Sequence, residues 1–290
     1  MKLAAALKDA RERLLDAEVP DAEFDARAMA AHVLKVKPSK LAMQRDRLLT
    51  GKEMAALEVL VNSRARREPL QYLLGATEFY GRDFVCDPRA LVPRPDTEVV
   101  IDVALELTDE LDITTVADIG TGSGVIAITL ALESPEIDVI ATDNSADALE
   151  LASENVAMHD LQQRITLACG EWLDPLHQQG RVDEIEMIVS NPPYICENSF
   201  DALMPEIVEH EPREALVDAA EDGLGSYRAI VGEARRLPAL KAMVFEVGDG
   251  RATQVAELMR EALKAREIII RKDLGRLDRV VAAVMGVGGR

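Results

Sequence analysis

The pattern of hydrophobic positions changes character along the chain. Over about the first 70 residues, apolar side chains recur at helical spacing. Leu3, Leu7, Ala10, Leu14 and Leu15 form one such row, Phe24, Ala28, Ala31 and His32 a second, and Met54, Leu57, Leu60 and Val61 a third. Pro20-Asp21 supplies a break and an N-cap, Pro38-Ser39 starts a short helix, and Thr50-Gly51 precedes a longer one. Residues 1–72 therefore read as a small all-α bundle with no catalytic constellation of its own, suited to holding a macromolecular partner. Between Pro69 and Val92 the pattern shortens. Thr77–Tyr80 and Asp83–Cys86, joined around Gly81, predict a β-hairpin, so 73–92 reads as a linker. Residues 93–290 then alternate strand and helix in the manner of an α/β domain. The predicted strands are Val116–Ile119, Val139–Thr142, Ile165–Cys169, Ile185–Ser190, Ala242–Val247, Glu267–Arg271 and Arg279–Val284.

Composition narrows the possibilities. At 290 residues with 48% apolar content the chain has ample material for a core, yet aromatics are only 3%, so that core is aliphatic. No stretch approaches the roughly 20 apolar residues that span a membrane. The opening MKLAAALKDARERLL is charged on one helical face and lacks a signal-peptide core. Cys86, Cys169 and Cys196 are odd in number and scattered, which points to a reducing cytoplasm. The four histidines have no ligand spacing, so no metal is expected. A net charge of −19 opposes binding to a phosphate backbone. The one compact basic cluster, Arg64, Arg66 and Arg67, ends a predicted helix, where cations complement the dipole; docking a partner is the lesser reading.

Candidate chemistry gathers at the carboxyl ends of the predicted strands, where open α/β sheets place their sites. After Val116–Ile119 comes Gly120-Thr121-Gly122-Ser123-Gly124, whose glycines permit a tight turn and close approach of a ligand. The next strand ends at Asp143, a carboxylate placed to hold a ribose diol. Val125 and Ile126 stand where a dinucleotide fingerprint would put its third glycine, so GxGxG preceded by Asp118 suits S-adenosylmethionine better than NAD. Trp172 follows the third strand; an indole there suits an adenine, or else packs as a rim aromatic. The fourth strand runs into Asn191-Pro192-Pro193-Tyr194. Two prolines end the ladder and hold Asn191 stiffly. The Asn191 side-chain oxygen and the Pro192 carbonyl form a pair of acceptors for a planar NH₂ group, with Tyr194 stacking on the flat group that carries it. In the loop Leu91–Glu98, Asp96 reads as a helix N-cap, and capping outweighs a site role for Arg94, Thr97 and Glu98. Cys196–His210 reads as an acidic loop.

Several segments together carry a resemblance: QYLLGATEFYGRDF, LVPRPDTE, ADIGTGSGVIAI, ATDNSADALELASEN, VSNPPYI, EPREALVDAAEDGL, FEVGDG and KDLGRLDRVV. The chain resembles the N(5)-glutamine methyltransferases of peptide chain release factors, the HemK/PrmC family, over nearly its whole length. The resemblance implies a helical N-terminal domain for substrate recognition, a hairpin linker and a seven-stranded, Rossmann-like class I methyltransferase domain. It implies S-adenosylmethionine as cofactor, S-adenosylhomocysteine as product, and the glutamine of a Gly-Gly-Gln loop as acceptor. Carried onto matching positions, Gly120, Thr121, Gly122, Ser123, Gly124, Asp143, Trp172 and Asn191 surround the cofactor. Asn191, Pro192, Pro193 and Tyr194 hold the amide, with Asn191 and Tyr194 as the catalytic pair. The expected enzyme is a cytoplasmic monomer that uses neither metal, nucleic acid nor membrane. Glu171 stands where many members carry Asp, and the unusual spacing in GDGRATQ leaves Gln254 outside the site. Two rivals share these features. A base-amino methyltransferase also meets a planar NH₂, but must extrude a base and bind phosphates. A non-enzymatic adaptor would bind a translation factor without turnover.

Overall fold

The computed structural model describes residues Met1–Gly286. Two compact units emerge: one of Met1–Ala76 with Leu203–Glu211, the other of Thr77–Ala202 with Pro212 onward.

The first unit is helical. Helices α1 (Leu3–Asp16), α2 (Ala22–Leu34), α3 (Gly51–Ala65) and α4 (Leu70–Leu74) bury an aliphatic core around Leu3, Leu14, Met29, Leu41 and Val61. Thr50 caps α3: its hydroxyl accepts from Glu53 N, and the Glu53 carboxylate accepts from Thr50 N. Helix α2 departs from expectation. Its buried face is Ala22, Asp25, Ala26, Met29, Ala30 and Ala31, so Ala31 of the expected row lies inside, while Phe24 is 65% exposed and His32 is exposed as well. Alanines pack closely between neighbouring helices, so the small residues mark the inner face and the large aromatic does not. Asp21 precedes α2 without a side-chain capping bond.

The second unit opens with strands β1 (Ala76–Phe79) and β2 (Arg82–Val85), joined by Tyr80-Gly81. Both turn residues have positive φ, 50° and 71°, the geometry of a two-residue hairpin whose twist matches its strands. Helix α5 (Glu98–Leu111) leads into β3 (Thr115–Ile119), α6 (Val125–Glu133), β4 (Asp138–Asp143), α7 (Ala146–Met158), β5 (Ile165–Cys169), α8 (Asp174–Gln179) and β6 (Met187–Ser190). The segment then taken as loop contains a short helix, α9 (Pro205–His210), which belongs to the first unit. Helix α10 (Gly225–Ala234), β7 (Ala242–Glu246), α11 (Ala252–Leu263), β8 (Glu267–Lys272) and β9 (Asp278–Val284) complete the chain.

Strands β3 to β9 form one seven-stranded sheet in the order β5-β4-β3-β6-β7-β9-β8. The first five are parallel, and β9 enters antiparallel between β7 and β8. Strands β6 and β7 are buried along their whole length, as Ile188, Val189, Val244 and Phe245 show at 0% exposure. Helices therefore cover both faces, and the strands read as continuous apolar runs. The chain winds outward from β3 through β4 to β5, then crosses back to β6 on the other flank of β3. The strand order thus reverses between β3 and β6, a switch point that opens a crevice beyond their carboxyl ends. Ile119 pairs with Ser190 there, and the Ser190 hydroxyl donates to the Ile119 carbonyl at 2.6 Å.

Candidate active site

Because β3 and β6 are neighbours in register, the two loops that follow them must lie side by side. The loop after β3 carries the glycines. Gly120, Gly122 and Gly124 all adopt positive φ, at 72°, 56° and 83°, a conformation costly for other residues. Gly120 N and Thr121 N both donate to the Thr142 carbonyl at 2.9 Å, which ties the loop to the end of β4. Below it, the buried Asp118 carboxylate accepts from Thr121 Oγ1 at 2.6 Å and from Ala127 N at 3.1 Å. Burial pushes Asp118 up to about 7 against the pull of those two bonds. Asp118 thus staples the loop to the start of α6.

Asp143 ends β4. Its Oδ2 accepts from Gly122 N at 2.8 Å and its Oδ1 from Ser145 N at 2.9 Å. Burial raises its pKa while the backbone donors oppose that rise. Ser145 in turn caps α7, accepting from Ala148 N at 3.2 Å. Trp172, after β5, takes a positive φ of 43° and its carbonyl accepts from Thr142 Oγ1 at 2.9 Å.

These loops line a cavity of about 130 Å³ that opens to solvent. Of the residues expected at the site, Gly120, Thr121, Gly122, Ser123, Asp143, Trp172, Asn191 and Pro193 line it. Gly124, Pro192 and Tyr194 stand behind the wall. A Cβ at Gly124 would meet Ile128 at 3.2 Å and Ala152 at 3.3 Å, so this glycine serves helix packing. Pro192 is buried. The Tyr194 ring packs so tightly on Gly248 that a Cβ there would lie 2.8 Å from Cδ2. Its hydroxyl is 3.5 Å from Glu246 Oε1, and burial raises its pKa to about 12.

The sequence left several wall residues unassigned. Ala90, Leu91, Pro93, Arg94 and Thr97 form one side, and Pro212, Glu214 and Ala215 another. Asp96 does not cap α5; it pairs with Arg279 at 3.3 Å. Thr97 is buried, and its hydroxyl donates to Glu246 Oε2 at 2.6 Å. Asn191 Nδ2 donates to Thr97 Oγ1 at 3.4 Å. Glu246 ends a strand otherwise wholly apolar, and burial pushes its carboxyl up to about 7 although Thr97 and Arg279 favour the charged form. A carboxylate closing a run of apolar strand residues is the signal that sequence reading passed over. The basic cluster also resolves differently from its docking reading. Arg64 is buried against Asp25 and Glu206, and Arg67 grips Glu206 with two bonds. Among the described residues no group of three or more His, Cys, Asp or Glu side chains is placed to hold a metal ion, and no helix is long and apolar enough to cross a membrane.

A glycine loop, an acid and an NPPY turn at the switch point of this sheet define a Rossmann-like class I methyltransferase. The comparisons agree and go further. Residues 5–75 match the family model of the PrmC N-terminal domain, and 101–219 that of the methyltransferase small domain. The release factor glutamine methyltransferase of Nitratidesulfovibrio vulgaris is 36% identical over 97% of this chain and 94% of its own. That of Geobacter sulfurreducens is 38% identical over 95% and 94%. The chain belongs to the release factor glutamine methyltransferase family. Among solved structures, the catalytic domain of hMettl16 in complex with a 3′UTR hairpin superposes with a TM-score of 0.55 at 15% identity, covering 89% of this chain and 92% of that one. At such identity the likeness is one of fold.

Proposed function

We propose that the protein transfers a methyl group from S-adenosylmethionine to the side-chain amide nitrogen of the glutamine in the Gly-Gly-Gln loop of peptide chain release factors, acting in the cytoplasm as a monomer. The observation that carries this reading is that Asn191, fixed between β6 and two prolines, shares one cavity with the glycine loop and Asp143. Family membership supplies the substrate class.

The residues present fit the cofactor. A Cβ at Gly120 would meet no atom within 4 Å, so the backbone there borders open space. Asp143 lines that space as an acceptor for a diol, and Trp172 offers a ring to flank a flat base. When bound, S-adenosylmethionine supplies an electrophilic sulfonium methyl group and leaves as S-adenosylhomocysteine.

The protein's own part is orientation and electrostatics. Asn191 Oδ1 and the Pro192 carbonyl accept the two hydrogens of the substrate amide, aiming its nitrogen at the methyl carbon. An amide nitrogen is a poor nucleophile because its lone pair is delocalised. Fixed acceptors favour the rehybridised, partly positive nitrogen of the transition state over the flat ground state. With the cofactor bound, transfer would form a C–N bond as the S–CH₃ bond breaks, and the proton would leave the nitrogen to water without a strong base. Tyr194, braced by Gly248 and Glu246, backs the turn that holds Asn191. Residues 1–72 serve to recognise the release factor, 73–92 as linker and 93–290 as the catalytic part.

The test is transfer of labelled methyl from S-adenosylmethionine to purified release factor, with a Gln→Ala loop variant and bare DNA as controls. Label on the wild-type factor alone supports the reading. Label on DNA but not on the factor moves the enzyme to base modification, and cofactor binding without label on either leaves an adaptor.

A further inference from the structure

A side-chain amide is nearly symmetric in shape but opposite in polarity at its two ends. Asn191 can accept from a substrate only if its oxygen, not its nitrogen, is the end left available. The structure contains a device that chooses between them. Asn191 Nδ2 donates to Thr97 Oγ1 at 3.4 Å, and Thr97 Oγ1 donates to Glu246 Oε2 at 2.6 Å. An ionised carboxylate only accepts, so the Thr97 proton is committed to Glu246. The Thr97 oxygen then presents a lone pair, which an amide N–H satisfies and an amide oxygen does not. Thr97 and Glu246 are 3% and 2% exposed, so water does not substitute for either partner. The 3.4 Å bond is long, as bonds in ligand-free catalytic sites often are.

We propose that Thr97 and Glu246 are positioning residues that set the polarity of Asn191 through this directed chain of hydrogen bonds, leaving Oδ1 to meet an amide N–H of the substrate. The proposal rests on the methyl-transfer reading above for its consequence in turnover, but its geometric content stands independently. Tyr194 donates to the other carboxylate oxygen of Glu246 at 3.5 Å. Arg279 favours the charged form of Glu246. Neither Thr97 nor Glu246 takes part in bond making.

The decisive variants are Thr97→Val and Thr97→Ser, measured at about pH 8, where a carboxyl pushed up to about 7 is largely ionised. Valine keeps the shape of threonine and deletes the hydroxyl; serine keeps the hydroxyl and deletes a methyl. If Thr97 merely fills space, valine is the milder change. If it sets polarity, the order reverses. T97V should lower kcat about tenfold or more, the scale of one net hydrogen bond, and T97S should restore most of it. E246Q, whose amide both donates and accepts, should fall between them. Cofactor affinity, measured calorimetrically, should stay near wild type in all three and so certifies folding. Side-chain amide NMR gives a readout free of activity. The Asn191 NH₂ should be slow to exchange in wild type and T97S and fast in T97V. Equal exchange in wild type and T97V, or valine outperforming serine in turnover, overturns the proposal. Absence of methyl transfer by the wild type defeats the functional reading alone, and the NMR comparison still decides this one.

Discussion

Removing the Glu206 carboxylate should release helix α9 from the helical unit. This six-residue helix is too short to hold itself together, since one and a half turns do not offset the cost of nucleation. What fixes it is charge. Glu206 accepts from Arg64 Nη2 at 2.9 Å, from Arg67 Nε at 2.8 Å and from Arg67 Nη2 at 2.7 Å, with its own side chain 7% exposed. Breaking a buried pair by deleting one member typically costs ~3–5 kcal/mol, because the other charge stays behind without its partner. Here the cost lies at the low end. Arg64 keeps Asp25 at 2.7 Å and the Glu68 carbonyl at 3.2 Å, and Arg67 keeps the Glu18 carbonyl at 3.2 Å. For Glu206→Ala we therefore expect about 3 kcal/mol, and for Glu206→Gln, which retains an acceptor, about half that. The assay is hydrogen exchange of the α9 backbone amides. Protection at Val208 and Glu211, which bond back to Met204 and Ile207, should fall about 10²-fold in Glu206→Ala. A loss under about tenfold would refute the reasoning and show these pairs to be worth no more than surface ion pairs. The pH dependence has a definite sign. Burial raises Glu206, but the bonds from Arg67 and Arg64 win and leave it below the ordinary glutamate value. Its stabilisation is thus complete above that value and lost as pH falls through the folded pKa. Asp25 runs the other way, raised chiefly by burial and only partly relieved by Arg64. Acid loosening of α9 should accordingly track Glu206 and vanish in Glu206→Gln.

Other outcomes follow from the site itself. Asn191→Ala should lower kcat by ~10²-fold with cofactor affinity little changed; unaltered turnover at saturating substrate would remove Asn191 from the chemistry. Asp143→Asn, which turns one of the two oxygens that accept from Gly122 N and Ser145 N into a donor, should raise the cofactor dissociation constant about tenfold or more in calorimetry, as loss of a hydrogen bond to a charged group does. Gly124→Ala should destabilise the catalytic unit by ~1–3 kcal/mol in thermal unfolding, because a φ of 83° and contacts at 3.2 and 3.3 Å oppose a side chain.

The fold was legible wherever one physical signal dominated. Strands β6 and β7 are apolar runs, and burial on both faces leaves no other reading of Ile188-Val189 or Val244-Phe245. The glycine loop, Asp143, Trp172 and Asn191 could be placed because each directly follows a strand, and sheet topology brings the ends of such strands together. Helix α2 was legible only in part: of its expected row Ala31 is buried and Ala28 half-buried, whereas Phe24 and His32 are exposed. Alanines mark its inner face, and Phe24 stands outside. The partner of the Arg64–Arg67 cluster, which does end a helix as expected, was not legible because that carboxylate lies 139 positions away from Arg67, in a stretch with no visible periodicity.

The relay behind Asn191 shows where sequence reading stops. Thr97 stands 94 positions before Asn191 and 149 before Glu246, so no local pattern links the three. In its own loop Thr97 looks like a helix-start residue, and capping explains such a residue cheaply. What marks it as more is the account of its hydrogen bonds: α5 begins at Glu98 with no side-chain cap from Thr97, whose hydroxyl is turned to Glu246 instead. Glu246 makes the same point from the other side. A buried carboxylate is expensive unless hydrogen bonds and charge offset its desolvation. Thr97, Tyr194 and Arg279 supply part of that offset, yet its pKa still stands well above an ordinary glutamate. A leucine at that position would spare the desolvation cost but leave the buried Thr97 hydroxyl without its acceptor. The carboxylate and the threonine are thus explained as a pair, and the proposed reason for keeping so costly a pair is the direction it imposes on the Asn191 amide at the end of the adjacent strand.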